Sequence, residues 1–151
     1  MSEADLSALD LPGFTIIERF GGPRTAKLAV RLGGNLHAVV EVARCRSSRL
    51  RDAYPVGEHD VEVVTTGDLP PDATTALLKA VVQAVEKADP FCRRLVTATD
   101  ADDLDSLHSA EAAGFRYVLK VDLREGTFNL AVVEPSWVTA VDMDLDHMPG
   151  T

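Results

Sequence analysis

A chain of 151 residues, 46% of them hydrophobic, is sized for one domain with a core of its own. Its 24 acidic and 15 basic residues leave a net charge of −9, which argues against a nucleic-acid or anionic-membrane partner because like charges repel. Two cysteines, Cys45 and Cys92, are too few for a disulfide scaffold, and no apolar run reaches membrane-spanning length. The acidic start, Met-Ser-Glu-Ala-Asp, lacks the basic and apolar stretches of a secretion signal. The expectation is a cytoplasmic protein with reduced thiols.

Ser2 to Leu11 reads as one short helix, with Ser2 and Asp5 at capping-box spacing and Pro12-Gly13 as its breaker. From Phe14 to Thr66 the period is two. Phe14, Ile16 and Phe20 share one face of a first strand. Leu28, Val30 and Leu32 mark a second, and Leu36, Ala38, Val40 and Val42 a third. Gly33-Gly34 between the last two is a hairpin signal. A fourth strand runs from His59 to Thr66, with Val61, Val63 and Thr65 on one face.

The period then changes. Ala73, Ala76, Leu77, Ala80, Val81, Ala84 and Val85 repeat at helical spacing, so Ala73 to Lys87 reads as a helix opened by Pro70-Pro71-Asp72. Arg94 to Thr99 follows as a strand. A second helix runs to Ala113, with Thr99 and Asp102 at capping spacing and Gly114 suited to its C-terminal cap. Tyr117 to Leu123 and Phe128 to Val133 make a final hairpin around Glu125-Gly126. The expected organisation is one domain over residues 1–138 and an acidic tail over 139–151. Asp142, Asp144, Asp146 and His147 in that tail lack the Gly and the distant Glu of a calcium loop, so no metal site is expected. His37, His59 and His108 are scattered without ligand spacing. Trp137 is expected in the core or an interface. Cys45 and Cys92 have no Cys-x-x-Cys spacing or adjacent His.

From His59 to Val138 this order resembles the GNAT superfamily of CoA-dependent acyltransferases. The residues that carry the resemblance are Ser106, Glu111 and Gly114-Phe115, with Asp103 in place of an Asn, on a helix that follows a strand–helix–strand unit and precedes a hairpin. The resemblance implies an α/β fold with a mixed, mostly antiparallel sheet and two core helices, and with splayed fourth and fifth strands that hold an acyl-pantetheine arm. It implies acetyl-CoA or another acyl-CoA as cofactor and a small-molecule or protein amine as acceptor. It also implies cofactor contacts at Val63, Thr65 and Thr66 of the fourth strand, at Ala73, Thr74 and Thr75 of the first core helix, and at Ser106.

The chain departs from the family pattern in three places. The pyrophosphate loop, Arg/Gln-x-x-Gly-x-Gly/Ala in the family, aligns with Leu69-Pro70-Pro71-Asp72-Ala73-Thr74. The prolines remove two amide donors, and Asp72 places negative charge where phosphate would lie. Ala110 stands where many members carry a general-acid Tyr, and Tyr117 does not replace it. Only Gly21 to Thr25 separate the first two strands, so the usual two helices between them are absent. A homodimer could cover the sheet surface this leaves.

Two readings follow. One is a divergent GNAT-like domain with weak or no acetyl-CoA turnover that acts as a ligand-binding or protein-interaction module. The other is an acyl-CoA-dependent N-acyltransferase with an altered loop and Glu62 as base. The competing reading of Glu62 is an outward strand residue on an acidic protein. Arg44, Arg46, Arg49 and Arg51 form the one basic cluster; it would hold the 3′-phosphate of CoA, an anionic substrate or an acidic partner, or else form a solvated loop.

Overall fold

The computed structural model describes residues 4–134 apart from Gly34. Strands β1 (Thr15–Gly21), β2 (Thr25–Leu32), β3 (Leu36–Arg44) and β4 (Val61–Gly67) precede helix α1 (Pro71–Ala88). Strand β5 (Leu95–Asp100), helix α2 (Leu104–Ala112) and strands β6 (Arg116–Leu123) and β7 (Gly126–Val133) follow. All seven strands share one sheet in the order β1-β2-β3-β4-β5-β7-β6. Every neighbouring pair is antiparallel except β4 and β5. This is the expected mixed, mostly antiparallel α/β architecture, with no helix among the described residues between β1 and β2. No described helix is long and apolar enough to cross a membrane.

Two cores follow from the two sheet faces. The apolar stripe of α1, including Leu77, Val81 and Val85, packs against Leu28, Val30, Val40, Val42, Val61 and Val63. On the opposite face Cys45 and Leu50, from the segment after β3, cover Val96, Ala98, Leu130 and Val132. Each fully buried Leu or Val contributes about 1.5–3 kcal/mol relative to exposure. Helix α2 ends as its sequence implies. Gly114 takes φ +105°, the amide of Phe115 reaches back to Ala110 O at 3.0 Å and that of Gly114 to Glu111 O at 3.0 Å, which is the bonding of a Schellman cap.

Three local expectations are corrected. The N-terminal helix is a single 3₁₀ turn, Leu6–Ala8, capped by Asp5, whose carboxylate accepts from the Ser7 amide at 2.9 Å; Ser2 lies outside the described residues. Strand β1 does not hold Phe20 on the face of Ile16. A bulge between Ile16 and Glu18 resets the alternation, and Phe20 is left exposed. The last hairpin turns at Arg124-Glu125, because Leu123 pairs directly with Gly126. The expected tail and Trp137 lie outside the described residues.

What positions a site is the short parallel pairing in mid-sheet. Strands β4 and β5 share only the pairs Val61 with Leu95 and Glu62 with Val96. Beyond them β4 stays on β3 as far as Gly67, and β5 stays on β7 as far as Asp100. The two strands therefore diverge, and the backbone of Val63 to Thr66 has no ladder partner in β5. Backbone donors and acceptors left without a ladder need another partner.

Candidate active site

The gap between β4 and β5 opens into a cavity of about 260 Å³ lined by Val64, Thr65, Thr97, Thr99, Thr74 and Ala110, among others. Side chains alternate across a strand, so Leu95 sits in the core under the helices while Val96 and Ala98 sit in the other core. The cavity meets both layers: Leu78 of α1 on one side, Arg49 and Phe128 on the other. Its lining thus comes from both faces of the sheet. A second cavity, about 410 Å³, lies against Thr25, Lys27, Glu41, Glu62 and Glu125, and shares Arg49 and Val64 with the first. A third, about 300 Å³, lies at the start of α1 against Thr66, Gly67, Pro71, Asp105 and Ser106.

Glu62 is the buried carboxylate of this arrangement. Its side chain is 6% exposed, and its carboxylate accepts from Arg49 Nε at 3.1 Å. Burial raises its pKa above the usual carboxylate value, and the Arg49 guanidinium partly offsets that rise. The outward, solvated reading of Glu62 is therefore corrected: it pairs across the sheet with Ala43, but under the cover of the segment after β3. Arg49 also donates to Glu125 Oε2 at 3.2 Å and stacks over the Phe128 ring at 4.7 Å.

The basic cluster does not act as a unit. Arg44 is 2% exposed and forms an ion pair with Asp89 at 2.7 Å, and it donates to the His59 carbonyl at 3.0 Å. It ties the end of β3 to the end of α1. Arg51 is exposed, 3.9 Å from Asp52. Of the cluster, only Arg49 reaches the cavities.

The aligned loop falls at the start of α1. Pro70 precedes the helix with no side-chain cap, and Pro71 is its first residue. Neither has an N–H. The Thr74 amide is taken by Pro70 O at 3.0 Å, which leaves the amides of Asp72 and Ala73 as the helix's free donors. Asp72 adds an exposed carboxylate in that first turn, and Asp105 lines the cavity beside it.

The sequence candidates fall into three groups. Thr65, Thr66, Thr74 and Ser106 line the cavities. Val63 and Ala73 are buried in the core. Thr75 ties α1 to α2 by donating to Ser109 O at 3.2 Å. The Ser106 hydroxyl donates to Asp103 Oδ2 at 2.6 Å, and Asp103 also caps α2 through the Ser106 amide at 3.1 Å. These two bonds lower the Asp103 pKa. Sequence reasoning missed Thr99, a buried hydroxyl in the cavity with no hydrogen-bond partner among the described residues. It also missed Gly67, whose φ of +135° brings its backbone so near β3 that an added Cβ would lie 2.7 Å from His37 O. Polar residues at the helix-facing positions 97 and 99 of an otherwise apolar strand were the available signal. Among the described residues no group of three or more His, Cys, Asp or Glu could hold a metal ion.

Solved structures share this fold with the chain. Aminoglycoside acetyltransferase AAC(6')-Ib, in complex with coenzyme A and kanamycin, superposes with a TM-score of 0.66 at 16% identity, over 78% of this chain and 71% of that one. The fold is that of the GNAT acetyltransferases. An uncharacterised Bacillus halodurans protein matches this GNAT fold at a TM-score of 0.70 and 18% identity, over 83% of this chain and 67% of the other. An aminoglycoside N(6')-acetyltransferase from Legionella pneumophila does so at 0.57 and 7%, over 80% and 69%. The chain spans 66% of the AAC(6')-Ib chain solved with acetyl-CoA. No protein-family model and no curated protein sequence matches it.

Proposed function

We propose that this chain is an N-acyltransferase that grips the acyl-pantetheine end of acyl-CoA and holds the nucleotide end weakly. One observation carries the reading: residues from both faces of the sheet line the cavity at the β4/β5 gap, and it shares Arg49 and Val64 with a second cavity that Glu62 lines. An acyl donor on one face and an amine on the other would approach each other there. Glu62 would take a proton from the amine. The neutral nitrogen would then form a C–N bond with the thioester carbonyl carbon and shed its second proton to solvent as the C–S bond breaks, and the thiolate would take a proton from solvent, since Ala110 has none to give.

The backbone of Val63 to Thr66, laddered to β3 but not to β5, supports a pantetheine arm, whose amides can bond as a missing strand would. Release of CoA thiol from millimolar acetyl-CoA, with a panel of primary amines, tests the reading. Slow amine-dependent release that falls about a hundredfold or more in Glu62→Gln is expected. No release with any amine would overturn it. The second reading, a binding or interaction module without turnover, is favoured by Pro70, Pro71 and Asp72 at the start of α1; it predicts saturable ligand binding with no thiol released.

A further inference from the structure

Resting on the acyl-transfer reading, the next question is how the buried base is kept ionised. Glu62 is 6% exposed, and burial opposes its charge. Around it stand Arg49, Ser48 and Cys45 from the segment after β3 and Glu41 from β3; Lys27 and Glu125 share its cavity. Lys27 is occupied by Glu41 at 3.3 Å. Arg49 is thus the cation in contact with Glu62.

We infer that Arg49 is the positioning residue of this site: its guanidinium, which lines both cavities, holds Glu62 in the second and yields that contact to the protonated amine of the acceptor. Three observations converge. Arg49 and Val64 alone line both cavities, so an acceptor that reaches the gap from the second cavity passes the guanidinium. Arg49 has a second hold independent of Glu62, through Glu125 Oε2 at 3.2 Å and the Phe128 ring at 4.7 Å, so releasing Glu62 does not set it adrift. The charges around the acceptor cavity, Lys27 and Arg49 against Glu41, Glu62 and Glu125, leave one negative charge over, which one ammonium group neutralises. An ammonium at Glu62 replaces Arg49 like for like. The carboxylate stays ionised until it takes the proton that frees the nitrogen to attack.

The test is a pH titration of the Glu62 carboxyl, followed by NMR in protein carbon-13-labelled at glutamate Cδ and assigned with Glu62→Gln. Wild type, Arg49→Lys and Arg49→Met are compared, each with and without millimolar spermidine as a cationic amine. Arg49→Met is expected to raise the Glu62 midpoint by about 1 pH unit or more. Arg49→Lys should recover most of that shift, and spermidine should pull the Arg49→Met midpoint back down. An unmoved midpoint in Arg49→Met, or no response to spermidine in any variant, overturns the inference. Should Arg49→Met fail to fold, Arg49→Lys decides alone. A single ammonium cannot bridge Glu62 and Glu125 as the guanidinium fork does, so its midpoint must still rise. The titration needs no turnover. A wild type that never transfers acetyl groups would sink the acyl-transfer reading while the midpoints still judge Arg49.

Discussion

Restoring the start of α1 is expected to tighten CoA binding. An ordinary helix presents four free amides at its N-terminus; here Pro70 and Pro71 supply none, and Asp72 adds a like charge for phosphate to meet. Two charge-assisted hydrogen bonds at about 1.5 kcal/mol each correspond to roughly a hundredfold in Kd. Pro71→Gly returns one of those donors, worth about tenfold. Asp72→Asn removes the opposing charge, worth about 0.3–1 kcal/mol at a helix N-terminus, or about two- to fivefold. The two sites are neighbours, so the product, about twenty- to fiftyfold, is an upper range. Calorimetric titration with CoA and with pantetheine, which lacks the phosphates, separates the effects. The double variant should gain affinity for CoA and none for pantetheine. Unchanged CoA affinity in a folded double variant, or an equal gain for pantetheine, would refute the assignment of this turn to the phosphates.

Three further outcomes follow from the same structure. The acid limb of the pH–rate profile should lie above the ordinary glutamate value of 4.5, because burial holds the proton on Glu62. The sign for stability is the opposite of a salt-bridged carboxylate: this group favours folding most below 4.5, and its contribution declines as pH rises through the higher folded-state midpoint. Profiles of kcat/KM and of denaturation against pH check both. Asp89→Ala leaves Arg44 buried without its 2.7 Å partner and should cost about 3–5 kcal/mol in urea unfolding, far more than an exposed pair such as Arg116–Glu134. Cys45 and Cys92 are buried and their thiols are pushed up to about 12. Neither should react with a thiol reagent at pH 8 in the native state, and both should react in denaturant.

Much of the fold was legible because its signals are local. Alternation marked the strands β2 to β4, helical spacing marked α1, and Gly114-Phe115 marked the end of α2 through a cap that its backbone then forms. The bulge in β1 was not legible, since nothing in Ile16-Ile17-Glu18 distinguishes an inserted residue from an alternating one. The site was legible in part. Thr65, Thr66, Thr74 and Ser106 were implied by the family resemblance along with Val63, Ala73 and Thr75, and of the seven these four line the cavities. Glu62 was weighed as one carboxylate among 24, because burial depends on the segment that follows β3 and covers it. Arg49 was grouped with Arg44 by sequence proximity, but the two are drawn to different partners, Glu62 and Asp89. Which charge a cation finds is a tertiary fact, and spacing along the chain does not encode it.

An amide-resolved NMR titration with acetyl-CoA decides whether an acyl-pantetheine arm lies between β4 and β5, as the proposed acyl transfer requires. Saturable shifts confined to Val63 to Thr66, Thr97 to Asp100 and the first turn of α1 are the expected result. Saturable binding that moves amides elsewhere and leaves those of β4 and β5 still, or no shift at millimolar acetyl-CoA, would contradict it.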